Sequence, residues 1–293
     1  MTSLDALSVS PVVKALCVGY PGSGKTGSLA ALANTGRYKL RILDFDGNFD
    51  PLLAYIDPEF HGNVDIVTLK DQLHSGQKRM ETRGKPTAFK GAEDFLNRWK
   101  YKDDAGKEID LGKPSEWGPD HVLVLDSLTN LGRAVMNWTL LIQDRVTKGP
   151  RKSDWGVAQG FQEGLVEKLM SREQISCHTI LTAHLKMIGP PEFETDDDTE
   201  VKKDKEKVRQ HVSYKLFPSA LGRALPPEIA KHCPYVLRYE TIIIAGRVKR
   251  VIRTVPNLDF DGVAVPLKSI ADELSIEDGL KIIFEAVEKG RGT

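Results

Sequence analysis

Short apolar runs, each ending in a glycine or a polar residue, alternate with segments of helical composition through much of the chain. The runs are Ala15 to Val18, Tyr38 to Leu43, Asn63 to Leu69, His121 to Leu125 and Thr179 to Ala183. Runs of this length bounded by turn residues predict buried strands. Between them, Ser28 to Ala33, Leu131 to Ile142 and Trp155 to Met170 predict helices, the last with apolar positions at Val157, Phe161, Leu165 and Leu169. Alternating strands and helices predict an α/β fold with a mostly parallel central sheet flanked by helices. Two stretches break the rhythm. Residues 71–120 are rich in Lys, Asp, Gly and Glu, with an amphipathic piece at Ala92 to Trp99 and a hairpin-like Tyr101 to Leu111 turning at Asp104 to Gly106. This stretch reads as an excursion on the sheet rim, either a solvated insertion or a partner-binding flap. Residues 187–215 are dominated by charge, from Pro190-Pro191 through Asp196 to Asp198 and on to Lys202, Lys203, Lys205 and Lys207. A loop this long in a compact domain is expected to be mobile or functional. Tyr235 to Ala245 and Arg247 to Val255 predict a C-terminal β-hairpin turning at Gly246, and Leu267 to Val287 a helical tail.

The first apolar run leads into Gly19-Tyr20-Pro21-Gly22-Ser23-Gly24-Lys25-Thr26, followed by Gly27. This fits G-x-x-x-x-G-K-[ST], and the strand before it and helix after it are the context that makes the motif a nucleotide-binding one. Gly22 and Gly24 allow successive N–H groups to face one anion. Lys25 has the reach for the β- and γ-phosphates of ATP, and the Thr26 hydroxyl is a Mg²⁺ ligand. Downstream, four apolar residues of His121-Val-Leu-Val-Leu-Asp126 end in an acid, the Walker B pattern. The second strand ends in Asp44-Phe45-Asp46-Gly47, placing acids where an α/β sheet holds its ligands.

Composition narrows the class without naming a partner. Lys+Arg and Asp+Glu are both 41, so a constitutively basic nucleic-acid coater is disfavoured while a local basic patch is not. Arg145, Lys148, Arg151 and Lys152 supply one candidate patch, in a loop broken by Gly149-Pro150; an ordinary solvated loop is the alternative. Cys17, Cys177 and Cys233 are far apart and predict buried free thiols in a reducing cytosol. No apolar stretch approaches membrane-spanning length and Met1 to Pro11 lacks a signal-peptide pattern, so a soluble cytoplasmic protein is expected.

The ordered set resembles the RecA family of recombinase ATPases, in particular core-only, phage-type RecA-like proteins. Arg41-Ile-Leu-Asp44-Phe-Asp46 with Phe49-Asp50-Pro51 is similar to the family's strand ending in Asp-x-Glu with its downstream Leu-Asp-Pro. His121 to Leu128 resembles its Val-Val-Asp-Ser strand, and Ser153-Asp-Trp-Gly156-Val-Ala158 its Ser-x-x-Gly-x-Ala after the first DNA loop. Leu181-Thr-Ala-His184-Leu-Lys-Met-Ile-Gly189 resembles the strand before its second DNA loop. The resemblance implies a RecA-like P-loop core over 1–262, carrying the rim insertion and the 187–215 loop, with 263–293 as the tail. It implies ATP and Mg²⁺ as cofactors, Thr26 and Asp126 as metal-supporting residues, and Asp46 in place of the glutamate that polarises the attacking water. His184 stands in place of a γ-phosphate-sensing glutamine. Residues 145–154 and 187–215 occupy the DNA-loop positions, and Arg250 or Arg253 lies near the strand that sends basic residues onto a neighbour's ATP, Arg253 being taken as the catalytic candidate. Asp46 is one methylene short, His184 is titratable, the 187–215 loop is not cleanly basic, and the family's N-terminal oligomerisation domain is expected to be missing.

The function expected from the resemblance is an ATP-dependent recombination or repair protein, phage-encoded and located in the host cytoplasm, that binds single-stranded DNA and anneals or pairs strands as a homo-oligomeric ring or filament. A single-stranded-DNA-binding protein is a further expected partner. Two other readings stay open: a helicase- or loader-type ATPase, and a nucleotide-gated DNA- or protein-binding module with little turnover.

Overall fold

The computed structural model describes residues 12–75, 80–103, 105–188, 215–256, 260, 263, 265 and 270–289. Eight strands form the central sheet: β1 (Lys14–Gly19), β2 (Lys39–Asp44), β3 (Val64–Thr68), β8 (His121–Asp126), β9 (His178–Ala183), β12 (Tyr235–Ile244), β13 (Arg247–Arg253) and β14 (Glu273–Ser275). Their order is β14-β13-β12-β1-β9-β8-β2-β3. From β12 to β3 every pair is parallel, and β13 and β14 close one edge antiparallel. Parallel strands bring their carboxyl ends to one side, which is where this sheet collects its polar residues.

Alternation along β1 assigns the two faces. Leu16 and Val18 point into one core with α3 (Ala88–Asn97), α4 (Leu128–Ile142) and α5 (Lys152–Met170). Ala15 and Cys17 point into the other, with α1 (Ala30–Ala33), α2 (Asp50–Leu53) and α7 (Gly279–Lys289). Both faces are covered, as a parallel sheet requires. Of the stretch expected to form a helical tail, Glu273 to Ser275 is a sheet strand, and α7 buries Leu280, Ile283 and Phe284 completely. Burying side chains of this size stabilises by about 1.5–3 kcal/mol each. The three cysteines are buried and free. The Lys14 ammonium is also buried, donating to the carbonyls of Leu169 and Ile175 and to Thr179 Oγ1, and burial lowers its pKa to about 8.

The 71–120 stretch is more than a solvated excursion. It holds two small hairpins, β4 (Leu73–Ser75) with β5 (Met80–Thr82) and β6 (Lys100–Lys102) with β7 (Glu108–Asp110), around α3. Phe89, Leu96, Trp99 and Trp117 are buried in the main core. Asp71 accepts the first N–H groups of α3, from Thr87 and Ala88, and its second oxygen accepts from Asn137 of α4. Tyr101 donates to Asp65 on β3, whose carboxylate also pairs with the buried Arg41. Composition reads as solvated here because the few large aromatics are diluted by charged rim residues.

On α5, Gly156, Gly160 and Gly164 recur at one-turn spacing, exposed, with nothing within 4 Å of a Cβ built on any of them. Gly160→Ala is therefore expected to stabilise the fold by about 0.8–1 kcal/mol through helix propensity, measurable as a higher urea midpoint with an unchanged slope.

Candidate nucleotide site

The carboxyl ends of β1, β2, β8 and β9 converge on the glycine loop. Gly19 closes β1 against β12 so tightly that a Cβ there would stand 2.6 Å from the Tyr239 carbonyl. Gly22 and Gly24 have φ of 77° and 96°, which L side chains rarely adopt. Lys25 is buried and donates to the carbonyls of Gly19 (2.9 Å) and Tyr20 (3.1 Å). Burial lowers its pKa, opposed by the charge of Asp126. The loop helix is short, a 3-10 turn at Gly27–Leu29 running into α1.

Thr26 and Asp126, a hundred residues apart, meet here: Thr26 Oγ1 donates to Asp126 Oδ2 at 2.7 Å. The other Asp126 oxygen accepts from Thr182 on β9. Asp44 lies opposite Asp126 in the β2–β8 register. Its Oδ1 accepts from the Asp46 and Gly47 amides, which turns the chain so that Asp46 enters the site. Asp46 Oδ1 takes three donors, Ser127 N (3.1 Å), Ser127 Oγ (2.7 Å) and Asn130 Nδ2 (2.8 Å). Its Oδ2 is left toward His184, 3.9 Å from Nε2. Burial raises the Asp126 pKa, and the charges of Asp46 and Asp44 add to the rise against the two threonine hydrogen bonds.

Two features fit a magnesium nucleotide. Ser23 Oγ is buried in the loop without a hydrogen-bond partner among the described residues, an orphan that a phosphate oxygen would satisfy. Three neighbouring carboxylates, of Asp44, Asp46 and Asp126, the first and last buried, form an acid cluster that a divalent cation would relieve. Thr26 and Asp126, already in contact at 2.7 Å, are the residues that would hold it. An open groove of about 350 Å³ runs beside the loop helix, lined by Gly27, Ala31, Asn34, Tyr55, Ile276 and Lys281.

His184 follows β9 as expected. Its N–H donates to Thr129 Oγ1 and its carbonyl accepts from Ser219 N. Its Nδ1 is buried without a partner among the described residues, and burial, with Lys25, lowers its pKa. Beyond it, β10 (Leu185–Ile188) pairs antiparallel with β11 (Lys215–Pro218). The intervening 189–214, which carry the Asp196 to Asp198 run, lie outside the described residues.

The basic positions divide differently from the sequence expectation. Arg145 is an internal tie, its guanidinium donating to Asp154 Oδ2 (2.6 Å) and to the Gly149 carbonyl. Lys148, Arg151 and Lys152 are exposed at the start of α5. Arg253 is not a free finger: it pairs with Glu240 and Glu273 across β12, β13 and β14. Arg250 is the arginine on the loop, with Nε donating to the Gly22 carbonyl at 2.9 Å. Thr182, Ser127 and Asn130 are site residues that motif reading missed. Their signal was polarity out of place, a threonine inside a buried apolar run, a serine immediately after the acidic strand and an asparagine in the first turn of α4.

No protein-family model matches the chain, and no curated protein matches it. Solved structures to which the chain is similar at low identity include these three. A KaiC-like protein from Pyrococcus horikoshii shares 12% identity, with 83% of this chain and 78% of that one covered and a TM-score of 0.37. The flagellar accessory protein FlaH of Methanocaldococcus jannaschii shares 10%, covering 89% and 84% at 0.39. The RadB recombinase shares 14%, covering 87% and 85% at 0.38. The strand order, with β9 between the glycine-loop strand and the acidic strand and both ending at one site, makes this an α/β fold with a largely parallel central sheet flanked by helices.

Proposed function

We propose that the chain is a magnesium-dependent ATPase that binds single-stranded DNA and pairs or anneals strands as a homo-oligomer. The observation that carries the ATPase reading is the Asp46 carboxylate, with one oxygen fixed by Ser127 and Asn130 and the other left toward His184. A general base needs that combination of fixed orientation and a free oxygen. Bound at Thr26 and Asp126, Mg²⁺ would neutralise charge on the β- and γ-phosphates. Lys25 would leave the Gly19 and Tyr20 carbonyls for the phosphate oxygens, and Ser23 would donate to them. Asp46 Oδ2 would orient the attacking water and accept its proton.

His184 supports coupling to a second ligand. Its ring faces the site while its backbone is held by Thr129 and by Ser219, directly after the β10–β11 pair. A shift of the ring on γ-phosphate binding would move the base of that pair, biasing a population of loop conformers. The exposed Lys148, Arg151 and Lys152 would meet phosphates of the strand. A second reading, a nucleotide-gated module with little turnover, is favoured by the short, triply anchored Asp46.

The test is ATP turnover and fluorescent-oligonucleotide binding, each with ATP or ADP. Single-stranded DNA is expected to raise turnover and to bind tightly only with ATP. A Lys148→Ala, Arg151→Ala, Lys152→Ala triple variant is expected to lose stimulation, keep basal turnover, and flatten the salt dependence by a slope of about 2. ATP-dependent binding without turnover supports the gated module. No response to DNA in either measurement sinks the recombination reading.

A further inference from the structure

We propose that Glu163, Glu167 and His232 form a binding site for a divalent transition-metal ion of the Zn²⁺ class, separate from the nucleotide site. Glu163 and Glu167 are one turn apart on α5, so their carboxylates share a face. His232 ends the 3-10 turn Ala230–His232, which follows α6 (Pro226–Ile229) and leads toward β12. Its ring lies over both acids, Nε2 3.2 Å from Glu163 Oε1 and Nδ1 3.8 Å from Glu167 Oε1. The three ligand atoms lie within 4.8 Å of one another.

A neutral imidazole carries one N–H, so one of its two ring nitrogens presents a lone pair to a carboxylate. The two glutamates repel each other as a like-charged pair at this spacing. Lys231, next in sequence, spends its ammonium on Glu228. The charge of Lys231 acts on both acids from farther off. An ion between the three side chains would remove both repulsions at once. One nitrogen and two carboxylate oxygens are a donor set that zinc and its neighbours accept, and hard Mg²⁺ or Ca²⁺ would favour oxygen alone. Ligand atoms on one zinc ion stand about 3.4 Å apart for bonds near 2.1 Å. Small rotations of the half-exposed glutamates close the observed spread. Three protein ligands leave a fourth position for water, and the ion would tie α5 to the segment entering β12.

The experiment uses the full chain, treated with chelator and free of nucleotide, titrated with Co²⁺ while visible absorption is recorded, with Zn²⁺ added as competitor. One Co²⁺ per chain, displaced by Zn²⁺, is expected. Glu163→Gln and His232→Asn should each weaken binding by about tenfold or more. Glu167→Gln, on the more exposed acid, serves where those variants lose their circular dichroism spectrum. Asp126→Asn removes any Co²⁺ held at the nucleotide site and should leave in place the Co²⁺ that the cluster variants lose. Absence of Co²⁺ binding overturns the proposal. So does binding untouched by the three cluster variants, or binding abolished by Asp126→Asn alone.

Discussion

Asp126→Asn is expected to lower magnesium-dependent ATP turnover by about 10³-fold, because the metal's charge stabilisation in phosphoryl transfer amounts to several kcal/mol. The residue links the Thr26 hydroxyl to β9 through Thr182, so the amide has hydroxyl partners for its oxygen and keeps the local geometry. What it loses is the charge that would hold the cation. The same change separates stability from activity. Burial raises the Asp126 pKa, helped by Asp46 and Asp44. Without Mg²⁺, the stability tied to a protonated Asp126 is therefore present below the ordinary aspartate range and lost as pH rises through the elevated value. The variant lacks that loss, so at neutral pH its metal-free form should unfold no earlier than the parent. Thermal unfolding with and without Mg²⁺, beside turnover, checks both halves.

Asp46→Asn is expected to cost about 10²–10⁴-fold in turnover, the range for a general base, with ATP binding nearly unchanged. The amide oxygen can still accept from the Ser127 amide and hydroxyl and from Asn130, so the side chain stays in place. The other end becomes an NH₂ donor facing His184 and no longer takes a proton. Equal loss in kcat and kcat/KM, with an unchanged Kd for a fluorescent ATP analogue, is the expected pattern. A rise in KM with kcat intact would assign Asp46 to binding and remove it from the chemistry.

Much of this site was legible in the chain because its chemistry sits at strand ends. Glycines at fixed spacing, Lys25-Thr26 and an acid after each of two apolar runs mark positions that a parallel sheet brings to one edge. What the sequence concealed depends on side-chain partners. Arg145 and Arg253 look like available cations until Asp154, Glu240 and Glu273 are seen to hold them. Arg250 on the Gly22 carbonyl spans 228 positions, a contact no local pattern encodes. The insertion was underestimated for a related reason. Its contribution rests on Trp99, Trp117 and a few α3 residues whose burial is set by tertiary packing rather than by an apolar run.

ATP turnover by the purified chain, measured beside Lys25→Ala, tests the nucleotide site most directly. Lys25 is buried at the loop and bonded only to the Gly19 and Tyr20 carbonyls among the described residues, so its removal leaves the sheet and both cores intact. Release of inorganic phosphate that requires Mg²⁺ and falls by about 10²–10³-fold in the variant, as for loss of a preorganised charge at the transition state, is the predicted result. Turnover of equal rate in both proteins, or no ATP binding by the parent, would contradict it.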